Sequence, residues 1–398
     1  MVIPNAVALR LKQADWLHRP ETQRLFALLD GATARTRAVG GIVRDTLLDR
    51  RREAPEIDFA TELVPEEVMR RAGEVGIGVY PTGIEHGTVT LKLGDLVAEV
   101  TTLREDVETD GRRAKVRFGT DWRRDAERRD FTLNALYASM DGELFDPING
   151  GDDCLAGRVR FIGDPDQRIV EDRLRVFRFF RFSASHGQER LDADGLAAVT
   201  RACGDLGGVS AERVGHEMRR MLDLGRIART LQAMNEAGIL TLGEPLLEQF
   251  GVYERRAHKP NFVARLSLLL AEHSQAEVKD RWRLSNDEIA GAETILAAAR
   301  LLIAFHLNEA AYRYPAALAD AVEIAATLAG WTEAGKSAVV QHLGTIDVPR
   351  FPLTGGDMVA RGMKPGPGIG AELDRLERIW IESAFALDRD ALLKRVLR

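Results

Sequence analysis

The chain has 398 residues, 45% of them apolar and 29% charged, and a net charge of −6. That is the composition of a globular protein of roughly two to four domains, and it excludes fibrous or low-complexity classes. Only Cys154 and Cys203 are available for sulfur chemistry, too few for a disulfide framework or a zinc spacing. With no signal-like N-terminus and no apolar window long enough to span a bilayer, the expected compartment is the cytoplasm.

Residues 6–30 read as a helix with Leu25, Leu28 and Leu29 on one face. A short strand at 36–39 enters the pair Gly40-Gly41, and a helix over 42–48 starts from that turn. Glycines there permit a tight turn and close approach of a ligand, and backbone N–H groups at a helix start suit a phosphate. Arg44 lies one turn in. Next, Glu56, Ile57, Asp58 and Phe59 alternate charged and apolar, the period of a strand with one buried face. Pro65 opens a helix through Ala72.

Residues 87–102 predict a hairpin across Gly94-Asp95, with Glu99 opposite Thr90 and on the face of Lys92. The charged run 104–117 has no apolar period and reads as a loop. Residues 130–138 read as a helix. Short strands and turns over 144–162 finish a small mixed α/β domain at residue 163. Beyond it the strand signal fades. Helical patterns cover 168–185, 210–224, 226–237, 260–272, 286–304, 306–328, 332–344 and 370–397, and a turn-rich break covers 354–370. The fold class is therefore α+β: a small mixed head over 1–163, an all-helical neck over 164–240, and a helical body and tail over 241–398.

Three clusters carry candidate chemistry. Glu56 and Asp58, with Glu99 as a third acid, offer oxygen ligands to one or two Mg²⁺ ions. The plain alternative is an amphipathic strand with solvated acids. Asp172 and Arg175 stand three apart on the 168–185 pattern, with Arg178 and Arg181 further along. An intrahelical salt bridge is the plain reading. The sharper one is base recognition: a carboxylate accepts from an exocyclic amino group and a guanidinium donates to ring acceptors, which suits cytosine and adenine and opposes uracil and guanine. The third cluster, 128–135, sets Arg129, Asp130 and Asn134 together. Asp130 as a cap and Arg129 with Asn134 as nucleotide contacts both fit that composition.

The order GGxVRD (residues 40–45), acid-x-Asp (56–58), RRDFTxNAL (128–136), DPxxGxxD (146–153), EDxLRxxRxxRF (171–182) and SxERV (210–214) resembles the bacterial class II tRNA nucleotidyltransferases and poly(A) polymerases of the polymerase-β-like superfamily. The resemblance implies that Glu56 and Asp58 bind Mg²⁺ and act in catalysis. It implies that Gly41 and Arg44 touch the triphosphate and Arg129 the nucleotide. Asp172 and Arg175 would read the incoming base, assisted by Arg178 and Arg181. Glu56 departs from the Asp usual at the first metal position, and Cys154 from the usual Leu.

The implied activity is addition and repair of the 3′-terminal CCA of tRNA from CTP and ATP, with release of pyrophosphate. The charged run followed by Phe118-Gly119-Thr120-Asp121 resembles the flexible loop of CCA-adding enzymes and ranks that activity first. Addition of A or C alone, or poly(A) synthesis, are the alternatives within the family. An inactive RNA-binding protein on the same scaffold is the alternative outside it. The implied partners are the acceptor end of tRNA, CTP and ATP, with no membrane and no protein partner. Arg255, Arg256, Lys259, Arg281 and Arg283 are candidate tRNA contacts on the helical half.

Overall fold

The computed structural model describes residues 4–50, 56–110 and 113–397. The chain divides into two compact units. One comprises Met1–Met221 with Arg229–Thr241; the other comprises Leu222–Ala228 with Leu242–Arg398.

In the first unit the strands are β1 (Thr36–Val39), β2 (Ile57–Thr61), β3 (Gly78–Gly83), β4 (Thr88–Leu93), β5 (Leu96–Thr102), β6 (Arg104–Asp110), β7 (Arg113–Phe118), β8 (Tyr137–Ala138) and β9 (Leu144–Phe145). Seven of them form one sheet in the order β3-β4-β5-β2-β1-β8-β9, and β6 pairs with β7 apart from it. β2 and β5 run parallel, and the other neighbours in the sheet are antiparallel. The helices of this part are α1 (Asn5–Lys12), α2 (Asp15–His18), α3 (Pro20–Leu28), α4 (Gly41–Leu47), α5 (Pro65–Glu74), α6 (Trp122–Glu127), α7 (Gly151–Ala156), α8 (Pro165–Glu171), α9 (Arg175–Ser185), α10 (Ala193–Arg201), α11 (Ala211–Leu222) and α12 (Ala228–Glu236).

The alternation in β2 works as its sequence demands. Ile57 and Phe59 are fully buried, and Phe59 meets Phe26 of α3 edge-on at 4.9 Å between ring centroids. Burial of each such side chain contributes about 1.5–3 kcal/mol. Asp58 points the other way, exposed, directly opposite Glu99 of β5. On that same face Ala60 and Val39 join Tyr137, Leu103 and Ile162 in a core cluster. The turn at Gly94-Asp95 pairs Glu99 with Thr90, as expected.

Several expectations are corrected. Residues 6–30 form three helices; the second break falls at Arg19, which precedes Pro20 and takes an extended conformation (φ −60°, ψ 135°) that a residue before proline favours. The 104–117 run is a hairpin, with Arg104 opposite Phe118 and Asp110 opposite Arg113. Main-chain pairing builds it, which an apolar period cannot announce. Residues 130–138 hold only a 3₁₀ turn, Thr132–Asn134, before β8. There Asp130 Oδ1 accepts from Phe131 N at 2.8 Å and Asn134 Nδ2 at 3.0 Å, which favours a side-chain-capped turn over a helix. Residues 168–185 are broken: Asp172 is extended (φ −152°, ψ 103°) between α8 and α9.

The second unit is helical: α13 (Glu244–Arg256), α14 (Phe262–Glu272), α15 (Gln275–Trp282), α16 (Asn286–Ile303), α17 (Leu307–Arg313), α18 (Leu318–Leu328), α19 (Glu333–Leu343), α20 (Gly355–Ala360), α21 (Pro367–Glu382) and α22 (Arg389–Leu393). α13 and α15 fall outside the expected helical stretches, and Pro315 splits the expected 306–328 helix into α17 and α18. The tail has its own core around Trp380, packed by Tyr312, Phe351 and Phe385. Among the described residues no helix is long and apolar enough to cross a membrane.

Candidate active site

Gly40 is the hinge of the first motif. Its φ of +71° and ψ of −121° suit glycine, and it turns β1 into α4. The turn delivers Gly41 and Arg44 to a cleft of about 610 Å³ in the first unit. β2 brings Asp58 to the same cleft, with Glu56 just before it, and β5 brings Glu99; Asp172 enters at the break between α8 and α9, α9 brings Arg175, Arg178 and Arg181, and Arg129 follows α6. Every site residue expected from the sequence therefore lines one cavity. Seven arginines and five carboxylates line it, so an acidic chain carries a locally basic cleft suited to a polyanion.

The sheet wall is acidic and open. Asp58 and Glu99 are exposed and adjacent across parallel strands, with Glu56 exposed two residues before Asp58. Among the described residues no group of three metal-type ligands is preassembled. Two carboxylates nevertheless fit a Mg²⁺ ion, which is commonly held by one or two carboxylates together with substrate phosphates and water.

The helical wall is a continuous polar network. Arg44 Nε donates to Asp45 Oδ1 at 2.8 Å, and its Nη1 donates to Asn134 Oδ1 at 2.5 Å. Asn134 reaches Asp130, whose Oδ2 takes Arg178 Nε at 2.7 Å. Arg178 and Arg181 both donate to Glu217 of α11. Phe182 lies beneath three of these cations, with Arg181 4.1 Å from its ring centroid. Burial alone would raise the Asp130 carboxyl, yet Arg178, Asn134 and the Phe131 N–H hold it at about 2. Burial pulls the Arg181 guanidinium down to about 10 against the pull of Glu217, with Arg178 and Arg220 adding repulsion. Arg178 keeps a raised value because, against its own burial, it has Asp130 as well as Glu217.

Asp172 and Arg175 are arranged differently from the expected helical face. Asp172 Oδ1 accepts from Leu174 N at 3.1 Å, restarting the helix after the break. The same carboxylate takes a two-pronged contact from Arg213, at 2.8 and 3.2 Å. Arg175 turns to Glu171 at 2.8 Å and to the carbonyls of Arg168 and Arg128 at 2.9 and 3.1 Å. Asp172 and Arg175 thus share the cleft without pairing as helix neighbours three apart.

Glu217, Arg220, Asp125 and His186 were not singled out by sequence. Glu217 is 3% exposed, and a lone acid on an amphipathic helix gives no sign of burial. His186 Nε2 lies 3.2 Å from Asp45 Oδ1, with Ser185 Oγ at 2.6 Å from its Nδ1. Burial holds its imidazole down at about 4, and the Asp45 contact only partly offsets that. The proposed tRNA contacts lie in the second unit: Arg255, Lys259, Arg281 and Arg283 are exposed, and Arg256 is half-buried near Glu333.

Residues 36–160 match the model of the poly A polymerase head domain, and 190–249 that of a probable RNA and SrmB-binding site of polymerase A. The zebrafish (Danio rerio) mitochondrial CCA tRNA nucleotidyltransferase 1 is 34% identical over 90% of this chain and 86% of its own length. The CCA-adding enzyme of Limosilactobacillus fermentum is 31% identical over 89% and 91%. In fold, the Bacillus stearothermophilus CCA-adding enzyme solved with CTP superposes with a TM-score of 0.77 at 23% identity, covering 95% of this chain and 97% of that one. The Thermotoga maritima enzyme complexed with tRNA gives 0.67 at 18%, covering 98% and 97%. Enzymes of this kind are metal-dependent. A shared head, a shared RNA-binding segment and identity sustained along nearly the whole chain place this protein among the CCA-adding and poly(A) polymerase family of nucleotidyltransferases.

Proposed function

We propose that the protein adds and repairs the 3′-terminal CCA of tRNA, taking CTP and ATP as substrates and working in the cytoplasm with Mg²⁺. The observation that carries this reading is the convergence of the acid-bearing strand and the Asp172–Arg175 segment on one basic cleft. In it, Gly41 and Arg44 hold the triphosphate and Arg129 the nucleotide. Asp58 and Glu56, with Glu99 beside them, would hold the metal, whose chemistry when bound would be activation of the 3′ hydroxyl and neutralisation of the departing pyrophosphate. Asp172 accepts the amino group of cytosine or adenine and Arg175 donates to the ring, with Arg178 and Arg181 fixing the wall behind them. Residues 1–163 form the catalytic head, 164–240 the base-reading neck, and 241–398 the tRNA-binding body and tail. Free thiols at Cys154 and Cys203 support a reducing compartment.

The test is incorporation of labelled CTP and ATP into tRNA lacking its CCA, with Mg²⁺ present, for wild type and Asp58→Asn. Wild type is expected to add C, C and A and stop. Asp58 is exposed, so the variant should fold normally and lose at least about a hundredfold in kcat. No incorporation by wild type sinks the reading, and a long A tail on unrelated RNA replaces it with poly(A) synthesis.

A further inference from the structure

The structure points to Asp125 as a positioning residue that sets both the nucleotide-holding arginine and the base reader from beneath the cleft. Asp125 belongs to α6 and is fully buried. Its two oxygens divide the work. Oδ1 takes Arg128 Nε and Nη2 at 2.8 and 2.6 Å. Oδ2 takes Arg129 Nε and Nη2 at 3.3 and 3.1 Å and the Tyr137 hydroxyl at 2.9 Å. Tyr137 closes the loop by accepting from Arg129 Nε at 3.2 Å. One carboxylate therefore fixes two consecutive arginines from opposite sides.

The consequence reaches the base reader through the main chain. Arg175 Nη2 donates to the Arg128 carbonyl at 3.1 Å. A carbonyl is aimed by the residue that owns it, and Arg128 is tied down by its side chain on Asp125. Arg175 thus takes its orientation partly from the head, and Arg129 takes its own from the same anchor. The burial of Asp125 is offset by its two cations, which together with Tyr137 hold the carboxyl below its usual range. A charge buried this deeply survives only when every hydrogen-bonding position is used. The hydrogen bonds are also mutually reinforcing in a low-dielectric site. Nucleotide grip and base choice are thereby coupled through one group that touches neither substrate nor metal.

This rests on the function proposed above, and the experiment separates the two. Wild type, Asp125→Asn and Tyr137→Phe are compared for KM and kcat with CTP and ATP, and for the ratio of kcat/KM for CTP over UTP. Asparagine keeps the size but turns one oxygen into an amide that faces an arginine. It should raise KM for CTP and ATP about tenfold and lower the CTP-over-UTP ratio about tenfold, with kcat within about threefold of wild type. Tyr137→Phe removes the hydroxyl's bond to Asp125 and its contact from Arg129 but leaves both arginines on the carboxylate, and should give the same pattern at about threefold. A ratio and KM unchanged in both variants, with only the melting temperature lowered, reduces Asp125 to a structural role and overturns the inference. If Asp125→Asn does not fold, Tyr137→Phe decides alone by the same two readings. Absence of CTP addition by wild type would instead defeat the proposed function.

Discussion

Along the sheet wall of the cleft, Asp58 and Glu99 stand exposed side by side, carried on paired strands. Along the helical wall, Asp130, Asn134, Arg181 and Glu217 are each less than a tenth exposed and joined in one hydrogen-bonded chain. On the proposed function, the first wall leaves its acids at a surface that a cation and a triphosphate would complete, and the second is desolvated on folding, so that its cations would meet substrate already oriented. Variants of the first wall should lose catalysis while keeping the fold, and variants of the second should lose stability as well.

The largest expected effect therefore lies on the helical wall. Glu217→Ala leaves Arg181 buried without its carboxylate and strips Arg178 of one of its partners. Breaking a buried pair from one side costs about 3–5 kcal/mol, read as a lower midpoint in chemical denaturation. A midpoint equal to that of wild type would show that water reaches this network, and would erase the contrast between the walls.

The next effect is a pH dependence. His186 fastens α9 to Asp45 of α4 as a neutral ring, its pKa lowered from 6.5 to about 4. The unfolded chain gains a proton below 6.5 that the folded chain refuses until about 4. Stability from this group is therefore complete above the higher value and lost as pH falls toward the lower one. The whole loss is roughly 3 kcal/mol. His186→Gln still donates to Asp45 but does not titrate, so its unfolding free energy should fall less steeply than wild type between about pH 7 and 4.5. Parallel slopes for the two proteins would mean that His186 is solvated.

How much of this was legible depends on the physical source of each feature. The period-2 burial of Ile57 and Phe59 is written in β2, and so was the exposure of Asp58 on the opposite face. The two-residue turn at Gly94-Asp95 likewise fixes Glu99 opposite Thr90. The β6–β7 hairpin was not legible, because backbone pairing rather than an apolar face builds it. The break at Asp172 escaped for a related reason. The apolar spacing over 168–185 runs on through it, while the conformation is decided by a carboxylate that caps Leu174 N and meets Arg213 from a distant helix. Glu217 was hidden because its burial follows from Arg178 and Arg181, cations brought in by tertiary folding; Asp125 was hidden because its pairs with Arg128 and Arg129, three and four residues on, look like ordinary exposed helix pairs in sequence.

That break at Asp172 sets the smallest prediction. Asp172 is held in two ways: locally by its bond to Leu174 N, and from α11 by the fork of Arg213. The Arg213–Asp172 pair is about a third exposed on each side, at 34% and 30%, so screening limits its contribution to about 1 kcal/mol. Arg213→Ala should accordingly leave the melting temperature nearly unchanged. If Asp172 reads the base as proposed, the effect falls on base choice, since a carboxylate freed to rotate accepts less selectively from an amino group. The CTP-over-UTP ratio of kcat/KM should drop about fivefold. Arg213→Lys keeps the charge but loses the fork and should lie between Ala and wild type. A ratio unchanged in both would leave the local bond to Leu174 N as sufficient aim for Asp172, and would make the break in the helix, rather than the salt bridge across to α11, what orients that carboxylate.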